Sequence, residues 1–144
     1  MITRLAGVTL MCVALGGAAG AQPNKPAAKP VTYDVTIKAE ETTYTGTADL
    51  TIDGGKVTGD MRLVSPTEVT AKIAGAAKEG TLALDFPYLI VEQQCTGNVK
   101  MNMKAPAKRG PATGTMIAVG CGRDPAAPLN GTVEFVPADP NKKK

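Results

Sequence analysis

The sequence contains no histidine and no tryptophan, and Ser65 is its only serine. Without histidine, the side chain that most often moves protons near neutral pH is missing, and so is the commonest zinc ligand. Ser65 precedes Pro66 in a turn-forming dipeptide with no base nearby in sequence. No Gly-x-Ser-x-Gly elbow, phosphate-binding loop or dinucleotide fingerprint occurs. The residues therefore nominate no catalytic group, no metal site and no cofactor, and an enzyme is not expected. Aromatics make up only 3% of the chain. That is too few for the two interfacial girdles of an outer-membrane barrel. No ring interleaves the lysines as a stacking surface for nucleic acid would require. Neither a nucleic-acid partner nor a membrane-spanning role is expected.

Cysteine is scarce too, at positions 12, 95 and 121. Residues 1–21 read as a secretory signal peptide: Arg4 gives a positive start, an apolar run follows, and Ala19-Gly20-Ala21 has the small-x-small form of a cleavage site. The run is too short and too rich in glycine for a membrane span of about 20 residues. Cleavage after Ala21 removes Cys12 and leaves two cysteines, and an even count in an exported chain favours a disulfide over a metal or redox site. The expected location is secreted or periplasmic. The 123 residues from Gln22 allow one domain with a modest core. Once Arg4 is removed, 15 basic residues face 13 acidic ones, a balance too even to imply an obligate nucleic-acid partner.

What the chain has in abundance is alternation. After a Pro/Ala/Lys linker at 22–30, Val31, Tyr33, Val35 and Ile37 alternate with Thr32, Asp34, Thr36 and Lys38. A period of two marks half-buried strands. The pattern repeats at 44–52 and 57–63, and Gly54-Gly55 between these runs suits a two-residue hairpin that sets Ile52 opposite Val57 and Ala48 opposite Met61. Further runs cover 69–73, 82–86 and 133–135, with Pro87 expected to end or bulge its strand. Residues 74–80 read as a loop, 87–94 as either strand or loop, and 137–144 as a basic polar tail. Between them lies Cys95 to Cys121, a hairpin in which residues summing to 216 oppose one another. This sets Val99 against Ile117 and Cys95 against Cys121. Opposed Cα atoms about 4.5–5.5 Å apart meet the spacing a disulfide needs.

Eight short strands within residues 31–136, joined mostly by short links, give an all-β fold: an eight-stranded antiparallel up-and-down barrel, with a β-sandwich as the alternative. Carboxylates such as Asp34, Asp49 and Asp60 fall on outward positions, and adjacent Glu40 and Glu41 point to opposite sides of a strand end. In strand count and connectivity the chain resembles the exported calycin-type barrels, the avidins and lipocalins. It has neither the lipocalin Gly-x-Trp nor the tryptophans of an avidin site, so no binding residue carries over. The resemblance implies a non-catalytic binder holding a small apolar ligand in or at the mouth of the barrel. Alternatives are a protein-binding module, such as an inhibitor of an exported hydrolase, or a cell-envelope surface-binding protein.

In a meander the links alternate between two ends. One end gathers Lys56, Lys78, Lys104, Lys108, Arg109 and both tails, and could make weak contact with an anionic surface through Lys104, Lys108 and Arg109. The other gathers Glu40, Glu41, Glu92, Arg123 and Asp124, with the apolar run Tyr88, Leu89, Ile90 and Val91. Loops on a rigid scaffold commonly carry binding, so Tyr88, Leu89, Ile90, Val91 and Arg123 are the candidate binding residues.

Overall fold

The computed structural model describes residues 29–104, 110–139 and 141. The proposed signal peptide, most of the linker, Lys108, Arg109 and most of the tail lie outside that set. Eight strands follow in order: β1 Val31–Ala39, β2 Thr42–Asp53, β3 Lys56–Ser65, β4 Val69–Lys78, β5 Thr81–Ile90, β6 Cys95–Lys104, β7 Ala112–Gly120 and β8 Leu129–Pro137. Each pairs antiparallel with the next, and β1 pairs with β8, closing an up-and-down barrel with no free edge.

Alternation explains the closure. Val35 and Ile37, Ala48 and Leu50, Met61 and Leu63, and their counterparts around the barrel are buried, and no polar or charged described residue is buried with them. The intervening Thr, Asp, Lys and Asn side chains face outward, the reverse of a lipid-facing barrel. At the β2–β3 turn Gly54 and Gly55 both adopt positive φ, 57° and 85°, as a two-residue hairpin loop requires. That turn fixes the expected register, Ile52 opposite Val57 and Ala48 opposite Met61.

Three expectations are corrected. Residues 74–78 are not a loop but the second half of β4. Gly75 and Ala77 take the inward positions there, and residues so small leave the alternation without a hydropathic signal. Pro87 neither ends nor bulges β5, which runs on to Ile90. Ladder pairing between β4 and β5 stops after Ala71↔Tyr88 and resumes in the same register at Gly75↔Leu84. Pro87 lies within that interruption, where its missing N–H breaks no ladder bond.

The third correction is the register of β6 and β7. Opposed residues sum to 217, so Val99 faces Ala118 and Gly97 faces Gly120. A slip of one residue exchanges the two faces of a strand. Ala112, Gly114, Met116 and Ala118 point inward, and Ile117 is left 47% exposed. Packing accounts for the choice. Met103 opposes Gly114 and Phe135 opposes Ala112, so large side chains fill the interior from the neighbouring strands. Even one methyl on Gly114 would come within 2.6 Å of the Met103 Cα. The other register would set Thr113 opposite Met103 and turn Thr113 and Thr115 into the apolar interior.

The disulfide forms despite the shift. Gly120, Cys121 and Gly122 turn into the left-handed region, with φ of 101°, 57° and 75°. The Cys121 N–H donates to the Thr96 carbonyl at 3.3 Å. Cys121 thereby bonds Cys95 across a Cα–Cα distance of 5.3 Å.

Candidate functional site

The two ends of the barrel differ in packing and in charge. At one end lie the Gly54-Gly55 and Glu79-Gly80 turns and the beginning and end of the strand region. Its interior is plugged: the rings of Tyr33 and Phe135 stand 6.0 Å apart, tilted by 44°, over the buried Leu50, Val57, Leu82 and Met103. Lys56, Lys78 and Lys104 are exposed at this end.

The opposite end, the mouth, is formed by the turns at 40–41, 66–68, 91–94 and 121–128. Beneath it the interior is hollow. A cavity of about 90 Å³ has Met61, Met101 and Met116 on its walls, with Tyr44, Tyr88, Ile90 and Leu129 half-buried toward the rim. A cavity of about 150 Å³ holds the six carbons of benzene, so about four heavy atoms fit here. Drug-sized ligands use pockets of roughly 300–1,000 Å³, and a whole retinoid or biotin does not enter this one.

Tyr88 organises the rim. It lies opposite Gly97 on β6, where the absent side chain leaves room for the ring. A Cβ on Gly97 would fall 2.5 Å from both Cζ and Oη of Tyr88. The phenol donates to the Val119 carbonyl at 3.1 Å. Burial pushes the Tyr88 phenol above its ordinary value; the Arg123 charge pulls it down, and Tyr44 adds to the rise. Arg123 Nη1 donates to Glu40 Oε1 at 3.1 Å and ties the β7–β8 turn to the β1–β2 turn across the mouth.

Backbone strain gathers at the same place. Four described residues other than glycine have positive φ, and three of them, Glu40, Gln94 and Cys121, are in mouth turns. Each such conformation costs about 1–2 kcal/mol and is one that tight hairpin turns require.

The five candidate residues separate. Tyr88 and Ile90 line the cavity. Leu89, one step out of phase, lines an outer depression of about 600 Å³ that Tyr88 also borders, beside the exposed Asp60–Lys72 pair. Val91 enters a turn, its N–H donating to Glu68 O at 3.0 Å and its carbonyl accepting from Gln94 Nε2 at 2.8 Å. Arg123 lies at the rim, bound to Glu40. Residues 88–91 thus form no single apolar patch, because β5 keeps its period of two to Ile90. Tyr44, Leu129 and the three methionines were missed by sequence reasoning. Alternation marked most of them as inward, but nothing in composition distinguishes the lining of a void from a packed core. Lys104 ends β6 at the far side, and Lys108 and Arg109 lie outside the described residues.

Among the described residues, no three His, Cys, Asp or Glu side chains come together as metal ligands. Eight sequential antiparallel strands in a closed ring are the architecture of calycin-type barrels in general. Compared with protein families, curated proteins and solved structures, the chain matches none.

Proposed function

We propose that the protein is an exported, non-catalytic binder that takes the apolar part of a small ligand into the mouth of its barrel. The cavity beneath the mouth carries this reading. It is lined by apolar side chains, it sits at the end that is not plugged, and three of its walls are methionines. Methionine is unbranched and flexible, so such a wall adapts to a guest without breaking the strand ladder. Export rests on Arg4, the apolar run and Ala19-Gly20-Ala21. The rival reading, a protein-binding module presenting residues 88–91, is weakened by the division of those side chains between the inside and the outside of the wall.

The expected affinity follows from the burial. Four methylene-sized groups at about 0.8 kcal/mol each give roughly 3 kcal/mol, a Kd on the order of 5 mM. Pentanol is a suitable probe, with four carbons inside and the fifth and its hydroxyl at the open rim. Calorimetry should show it bound at one site, with binding abolished by Ala118→Leu, which fills the cavity, and retained by Lys104→Glu at the far end. Binding unaffected by Ala118→Leu, or no binding at all, would contradict the proposal.

A further inference from the structure

The cavity and the two tyrosines at its rim define where a ligand sits; the charge of the surrounding turns decides which head group it carries. Those turns hold Glu40, Glu41, Glu68, Glu92 and Asp124 against the single base Arg123. Arg123 is paired with Glu40 at 3.1 Å, in an exposed ion pair. Of the nearest strand cations, Arg62 is held by Glu68 at 2.8 Å, and Lys38 faces outward on β1. The mouth therefore carries a net negative charge even with both strand cations counted. Glu41 and Glu92 are exposed there. Tyr44 and Tyr88, half-buried among the lining residues, supply rings of the kind that attract a partly desolvated cation, although the nearest charge acting on Tyr88 is that of Arg123.

We infer that the ligand is a small cationic amphiphile, an aliphatic amine that places about four carbons in the methionine-walled cavity and its ammonium at the rim. The tail cannot reverse: no charged described residue is buried in the barrel to receive the head inside. An anionic head would meet the acidic turns with Arg123 already engaged. This inference rests on the proposed function, since it names the ligand class of the same cavity.

Three probes of equal chain length separate the possibilities: pentylamine, pentanol and pentanoate, titrated calorimetrically into the intact exported protein. Pentylamine is expected to bind at least threefold more tightly than pentanol, and pentanoate more weakly than either. Raised salt should shrink the amine's advantage, because exposed charges are screened. Changing Glu41→Gln together with Glu92→Gln should bring the amine and alcohol affinities together, whereas Glu79→Gln at the far end should leave their ratio unchanged. A ratio below threefold, or a preference for pentanoate, overturns the inference and leaves an apolar binding cavity standing. Failure of all three probes to bind refutes the binding reading itself.

Discussion

Replacing Gly97 with alanine should be among the more damaging single-methyl changes in the barrel. The added Cβ would lie 2.5 Å from Cζ and Oη of Tyr88 and nearer still to the Val119 carbonyl, whereas ordinary contacts begin at 3.4 Å. The ring must retreat by about 1 Å and the β6–β7 backbone must shift from the Val119 carbonyl, and overpacking of this kind costs roughly 1–3 kcal/mol. Retreat also breaks the hydrogen bond from Tyr88 to Val119, worth about 1 kcal/mol. The sum is about 2–4 kcal/mol, a fall in Tm of roughly 10–20 °C for a domain near 100 residues. Urea and thermal unfolding followed by circular dichroism measure it. Two controls apportion the loss. Tyr88→Phe removes the hydrogen bond alone and should cost about 1 kcal/mol. Gly122→Ala meets no atom within 4 Å at a φ of 75° and should cost only the backbone conformation, about 1–2 kcal/mol. A Gly97→Ala protein within 0.5 kcal/mol of the parent would refute the packing of Tyr88 over Gly97.

Reducing Cys95–Cys121, which closes a loop with a sequence separation of 26, should cost about 3.5 kcal/mol by loop-closure entropy. Alkylation of non-reduced exported protein should find no free thiol, and finding one would remove the disulfide. N-terminal sequencing of that material should begin at Gln22, and an intact Met1 would defeat the argument for export. Tyr88 supplies a pH test. Its phenol is raised in the folded state, so its contribution to stability is complete below the unfolded value of 10.0 and is lost as pH rises from there through the folded value. Ultraviolet titration of phenolate should show one tyrosine ionising late, and Tyr88→Phe should remove that transition; an unchanged titration would contradict the burial of the ring.

Most of the barrel is legible in the sequence because the interior needs one apolar residue in every two. Where Val, Ile, Leu or Met fills the inward positions, as in β1, β3 and the first half of β5, side chains and strands are found together. Legibility fails where the inward side chain is small. Gly75 and Ala77 hide the second half of β4, and Ala112, Gly114 and Ala118 hide the true face of β7 behind the more hydrophobic Ile117. In both strands the small residues answer large neighbours such as Leu84, Met103 and Phe135, a volume relation that no single strand displays. The end that gathers Tyr88, Ile90 and Arg123 follows from the meander alone. The void beside them does not, because a methionine lining a cavity and one filling a core have the same sequence signature.

That ambiguity makes the methionines the best reporters of the central claim. Met61, Met101 and Met116 line the cavity, while Met103, equally buried, does not. With the methionine methyl groups isotopically labelled, titration with pentanol should shift the resonances of Met61, Met101 and Met116 along one saturating curve. That of Met103 should stay in place. Equal shifts at all four, or none at pentanol concentrations well above about 5 mM, would contradict a ligand-binding mouth.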